Sequence, residues 1–332
     1  MRRPTDRSRP SLRLTAERVR RSIRRRLLFA NVAGAAAVMT FLQLASGKAI
    51  APDLPLWMQL LGPLVPVVVL LVPAYVWGHR AFGRRIAWAF ENRTPTLPER
   101  FTVLREPWRQ ALRPLVFWVL GALLYGTITA LVGADLTTVV RVVEGTSIGG
   151  VTTCALAYLM IERSFRPLFA HALDGMPERR PHTPGMRLRL LLTWAIGSGV
   201  PLVAIALVLF LDGSEIPPYA LATLALMGLA AGFIATVSSA RSLVEPLDGL
   251  RHALARVRDG DLDVGLVVDD GGEVGEVQSG FNRMVDGLRE RRQIQDLFGR
   301  HVGQAVALQA LERGSGLQGE EADASVVFVD IV

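Results

Sequence analysis

Only a few residues in this 332-residue chain have the type and setting to do chemistry. The first is Asp330, the lone carboxylate in the apolar run "ASVVFVDIV" at 324–332. A carboxylate in a buried strand is costly unless it is paired or holds a metal. Its hard oxygens suit Mg²⁺ or Mn²⁺, although a strand-edge cap is the plainer use of the same residue. The second setting is Arg141 with Glu144, three residues apart and on one helix face inside an apolar stretch. Structural pairing is the simpler reading there, and a ligand or ion site the sharper one. His79, His171, His182, His252 and His301 are scattered, and no two have metal-ligand spacing. Cys154 is the only cysteine, which excludes an internal disulfide and any multi-cysteine metal site.

The elements that position these residues are dominated by apolar helices. Half of the residues are hydrophobic, and the mean hydropathy is positive. Segments 27–46, 56–77, 115–133, 188–211 and 218–240 each suit a spanning helix, and 137–161 makes a sixth despite Arg141 and Glu144. The formal charge of +7 is almost wholly arginine, because Lys48 is the only lysine. The arginines crowd the N-terminal segment 1–26 and two of the connecting segments, 78–114 and 162–187, while the alternate loops hold Lys48 alone. The positive-inside rule then puts both termini in the cytoplasm of a multi-pass protein of the plasma (inner) membrane. The same distribution assigns the basic charge to topology and lipid contact, not to nucleic acid. Gly145-x-x-x-Gly149 and Gly228-x-x-x-Gly232 offer close helix approach, and 197–201 (Gly-Ser-Gly-Val-Pro) is the expected weak point of its helix.

Beyond the last span, Leu247, Leu250, Leu254 and Val257 form a heptad seam that stops at Asp259-Gly260-Asp261. An extended connector follows, and a second seam runs through Val274, Val277, Phe281, Met284 and Leu288. With Pro246 in the first helix, Gly260 at its end and "GEVGEVQSGFNRM" at 272–284 opening the second, the segment 241–290 resembles the HAMP domain, a signal-relay module of membrane receptors. The resemblance implies a homodimer whose four helices form a parallel coiled coil. Gly272 stands where that family usually has an acid, which leaves Glu273 as the helix-start carboxylate. After Leu288 the seam loses phase at Arg291, Arg292 and Gln295, a place where winding would change.

"RRQIQDLFGRHVGQAVA" at 291–307 followed by "ASVVFVDIV" resembles the linker and first strand of actinobacterial membrane class III adenylate cyclases. The expected fold is therefore mainly α: a basic segment 1–26, a six-helix membrane domain 27–240, HAMP 241–290, a linking element 291–319, and the first strand of an α/β catalytic domain at 320–332. The resemblance marks Pro246, Gly260, Glu273, Phe281, Phe298, Gly299, Arg300 and His301 for signal relay. It implies that Asp330, with the Ile331 carbonyl, holds two divalent cations together with a second aspartate further on. The partners it implies are a second copy, the lipid bilayer and ATP, which would be converted to cyclic AMP and pyrophosphate. The residues present hold only half of such a metal site, so the strand is expected to open a domain that continues past Val332. Two other readings stand beside this one. In a HAMP-coupled receptor or histidine kinase, His301 would lie on a dimerisation helix, although the glycines in "GRHVG" favour a bend. The third reading is a non-catalytic dimerising membrane fragment.

Overall fold

The computed structural model describes residues 12–45, 64–174, 185–212 and 218–302, with Val327 and Val329. Asp330, Ile331 and most of the expected strand lie outside the described residues. Val327 and Val329 are exposed and not in a strand. A lone extended segment gains nothing without a neighbouring strand to bond. Among the described residues the chain is helical and without strands.

Helix α1 spans Leu12–Ala45, α2 Leu64–Arg85, α3 Ala87–Phe90, α4 Leu97–Leu131 and α5 Leu136–Glu162. A 3₁₀ turn over Arg163–Phe165 leads into α6, Arg166–Leu173. Then come α7 (Met186–Trp194), a π turn over Ala195–Gly199, α8 (Val200–Asp212), α9 (Pro218–Arg258) and α10 (Glu273–Val302). Five stretches are long and apolar enough to cross a membrane: Leu12–Leu42, Leu97–Leu131, Leu136–Leu173, Met186–Leu207 and Pro218–Arg258. These make it a multi-pass membrane protein. The expected span 56–77 corresponds to α2, which is described only from Leu64 onward.

Several of these helices outrun the bilayer. The 35 residues of α4 cover about 52 Å at 1.5 Å per residue, against a hydrocarbon core of about 30 Å. The excess lies at the end of the bundle that faces α10, where the expected arginine-rich loops are helices instead. There Ala16, Val19 and Ile23, at helical spacing on α1, are buried against Ile86, Trp88, Val103, Leu104, Ile161, Phe165 and Leu168. Phe82 meets Phe165 edge-on at 5.6 Å, and Phe165 stacks on Phe169 at 5.9 Å. Residues 12–26 of the basic N-terminal segment therefore pack one face into a protein core.

Local sequence sets the helix ends. Thr96 and Glu99 form a capping box at the start of α4, with the Thr96 N–H donating to Glu99 Oε2 at 2.8 Å. Gly133, at φ +85°, closes α4, and Asp135 caps α5 by accepting from Thr138 N. That gives the short turn expected between these spans. Gly145 faces Leu42 and Gly149 faces Val38, so α1 and α5 approach closely. Gly228 faces Pro201, and Gly232 lies against the Gly197 backbone. Both small-residue pairs thus serve as the sequence suggests. The π turn coincides with the expected weak point just before Pro201, which has no N–H for the preceding turn.

Candidate signal-relay junction

Three side chains meet where α5, α7 and the connector after α9 converge. The Arg189 guanidinium lies 2.9 Å from Glu162 Oε1 and donates to Asp270 Oδ2 at 3.1 Å. All three residues are at most 5% exposed, so water screens this group of charges little. Tyr158 lies beside Arg189 and packs edge-on against Trp108 at 5.5 Å. Asp270 also accepts the Gly272 N–H on Oδ1 at 2.6 Å, shaping the turn into α10. One residue on, Glu273 Oε2 accepts the Met186 N–H at 2.8 Å. A carboxylate there answers an orphan donor and the positive end of the α7 dipole. Gly185 leaves room for it, because a Cβ at that position would strike the Glu273 carboxylate.

The other contact is on α9. Pro246 lies inside this helix and is buried, and its missing N–H frees the Ser242 carbonyl four residues back. The Arg166 guanidinium donates to that carbonyl. Thr193 Oγ1 and Ser239 Oγ are 2.6 Å apart, and Arg163 pairs with Glu245 at 2.5 Å. The exit of α9 is thus held by α7 and by the turn that joins α5 to α6.

Past that exit α9 continues to Arg258, where Gly260 adopts φ +87°. Gly260 N bonds Val257 O and Asp261 N bonds Arg256 O, both at 3.0 Å, a Schellman ending. Arg256 donates to the Asp261 carboxylate, and this with the Asp263 N–H holds that group below the usual carboxylate range. Among the described residues the extended connector has no strand partner, and α10 supplies bonds to it instead. Asn282 bonds both the N–H and the carbonyl of Leu266 at 2.8 Å, and Gln278 bonds Asp269. Arg289 donates to the carbonyls of Leu262 and Val264. Phe281 and Val285 are buried with Ala253 and Val264, while Leu247, Leu254, Val277, Met284 and Leu288 remain exposed.

The structure thus brings Pro246, Gly260, Glu273 and Phe281 into one hairpin and its mounting. Phe298, Gly299, Arg300 and His301 fall on the last turns of α10, and their side chains lie outside the described residues. The bend expected from the glycines of "GRHVG" is absent up to Val302. One interior glycine costs about 1 kcal/mol, which flanking helix formers offset. Asp330 and Ile331 are outside the described residues, and among those described no three His, Cys, Asp or Glu side chains gather as a metal site. Arg141 and Glu144 share a cavity wall in the membrane domain. The reading from sequence missed Glu162, Arg189 and Asp270, because their proximity is tertiary. It also missed Asn282 and Gln278, whose signal was an amide facing a strand-like connector.

Comparison with known proteins agrees with this hairpin. Residues 239–290 match the HAMP domain family. The chain is 39% identical over 293 residues to the uncharacterized protein Rv1318c of Mycobacterium tuberculosis (strain ATCC 25618 / H37Rv), covering 85% of this chain and 53% of that one. It is 36% identical over 325 residues to Rv1319c of the same strain, also uncharacterized, covering 95% and 60%. With the uncharacterized protein Mb1354c of Mycobacterium bovis (strain ATCC BAA-935 / AF2122/97) it shares 37% over 314 residues, covering 92% and 55%. The chain thus spans a little over half the length of these relatives. No solved structure matches.

Proposed function

We propose that this chain is the membrane sensor and HAMP relay of a class III adenylate cyclase that works as a homodimer with both termini in the cytoplasm. The chain is a membrane signalling protein with a HAMP domain, and the observation that carries the relay reading is the buried Arg189 junction. Through it the connector and the start of α10 are fixed to a membrane helix of the same chain. The five exposed apolar side chains of the hairpin support a second copy, since a coiled-coil seam is stable only when covered. The cyclase reading rests on the motifs at 291–307 and 324–332, and on the unmatched length of the relatives, which is ample for a further domain. Asp330 and the Ile331 carbonyl offer the hard oxygens that a Mg²⁺ or Mn²⁺ pair takes. Such a pair would activate a ribose hydroxyl and steady the leaving pyrophosphate.

The test uses the full-length protein. Asp330→Ala is expected to abolish Mn²⁺-dependent cyclic AMP formation while membrane insertion and dimerisation persist. Retained activity removes Asp330 from the site. The unbroken helix through His301 favours one second reading, a kinase-type dimerisation helix. Transfer of γ-phosphate from ATP to His301, lost in His301→Gln, would establish it in place of the cyclase.

A further inference from the structure

Helix α9 is a single rod of 41 residues, about 60 Å long at 1.5 Å per residue, and serves both as the last membrane helix and as the first hairpin helix. One side is buried in its own chain along Gly228, Gly232, Ala235, Ser239, Ser242 and Pro246. A second row stands away from that side. Every seventh residue from Leu226 to Leu254 is exposed, with Leu226 at 66%, Phe233 at 69%, Leu247 at 57% and Leu254 at 46%. Ala240 completes the row, and Leu229 and Thr236 are exposed beside it, three residues after Leu226 and Phe233. This is the a and d spacing of the hairpin seam, carried up into the bilayer with no change of phase.

Exposed apolar side chains alone do not point to a partner, because lipid covers them on any outer membrane helix. The register does. A strict seven-residue row drifts by about 20° per heptad on a straight helix, and so by about 80° from Leu226 to Leu254. A helix wound left-handed around α9 follows such a row throughout, whereas lipid imposes no such period. The row carries no charge, and Thr236 and Ala240 are small enough to let a second backbone approach. Its lower end identifies the occupant. Leu247 and Leu254 lie in the segment that matches the HAMP family, where the homodimer proposed above covers them with the same residues of a second copy. Because α9 is unbroken from Leu254 up to Leu226, the twin helix enters the bilayer alongside it.

We propose that α9 meets the α9 of a second copy inside the membrane along Leu226, Phe233 and Ala240, as one seam with the hairpin. This inference rests on the homodimer reading, and the experiment separates the two. Single cysteines replace residues of the full-length protein in the membranes of cells that make it. Native Cys154 is buried, and the unmodified protein serves as the blank. In a parallel two-fold contact each position faces its own counterpart. Oxidation with copper phenanthroline should therefore link Leu226→Cys, Phe233→Cys and Ala240→Cys into dimers. The yield should be roughly tenfold above that of Leu123→Cys on α4 and Phe210→Cys on α8, which are exposed but off the row. Leu247→Cys and Leu254→Cys report the hairpin dimer by itself. Linkage at 247 and 254 with yields at 226 and 233 no higher than the controls would overturn the membrane seam and leave the homodimer standing. Absence of linkage at all five positions would overturn both.

Discussion

Arg189→Gln gives the sharpest test of the junction. The substitution leaves Glu162 and Asp270, at 4% and 1% exposure, without the guanidinium that faces both. Removing one partner of a buried ion pair costs about 3–5 kcal/mol, because a desolvated charge is left behind. At 1.4 kcal/mol per decade, the undocked fraction of the connector should rise roughly 10²- to 4 × 10³-fold. Asp270→Asn is milder, since Arg189 keeps Glu162 and the Asn oxygen can still accept from Gly272, so about 1–3 kcal/mol is expected. Replacing the whole set by Arg189→Met, Glu162→Gln and Asp270→Asn removes every buried charge together and should recover much of the docking. Hydrogen exchange by mass spectrometry on peptides covering 262–276 reads the outcome, with 281–288 in the hairpin core as internal control. The order expected is Arg189→Gln fastest, then Asp270→Asn, then the triple variant, then the native protein. Exchange in Arg189→Gln within twofold of native would refute the claim that this junction holds the connector.

Pro246→Ala supplies an N–H that competes with Arg166 for the Ser242 carbonyl. The yield of a disulfide engineered between positions 163 and 245 should fall, and an unchanged yield would separate the proline from the contact. Gly260→Ala meets open space, so its cost is only that of a left-handed backbone, about 1–2 kcal/mol, read as a lower melting temperature. His79 accepts from Arg20 Nε at 3.0 Å, and burial together with Arg20 lowers its pKa. Between the lowered folded value and the unfolded value near 6.5, the unfolded chain binds the extra proton. Stability at this contact is thus present above that unfolded value and lost as the pH falls through the folded one. Melting temperature against pH should show this loss in the native protein and less of it in His79→Gln.

What the sequence made legible was whatever is encoded locally. Hydropathy placed five of the six expected membrane helices, glycine spacing located the close α1–α5 and α8–α9 contacts, and 197–201 marked the π turn. Gly260 was recognisable as a helix stop because only its backbone conformation was needed. The helices that project past the bilayer were not recognised, because their arginines were read as loop charges setting topology. Yet Thr96-x-x-Glu99 is a helix-start signature, and Ala16, Val19 and Ile23 keep helical spacing through the basic run. The Arg189 junction was illegible for another reason. Glu162, Arg189 and Asp270 lie far apart in sequence, and nothing local distinguishes them from the other charged residues around them.

The two sets of contacts differ enough in strength to suggest which one yields. At the α9 exit the buried Arg166 bond to the Ser242 carbonyl contributes about 1.5–3 kcal/mol, and Arg163 with Glu245, at 37% and 47% exposure, about 0–1 kcal/mol. Thr193 with Ser239 adds one neutral hydrogen bond, and together these contribute less than a buried ion pair of about 3–5 kcal/mol reinforced by a helix cap. The connector is held by a desolvated guanidinium between two carboxylates and by the Glu273 cap on α7. A force that displaces the membrane part of α9 against α7 therefore loosens the exit of α9 before it frees the connector. The start of α10 then acts as the pivot, and the first hairpin helix moves against it across Ala253, Val264 and Phe281. In the proposed homodimer that motion would alter which of the exposed Leu247, Leu254, Val277 and Met284 side chains the second copy meets. A relay built this way needs one firm contact and one weak one on the same helical block, and weakening the Arg189 junction should disconnect the hairpin from the membrane helices rather than activate it.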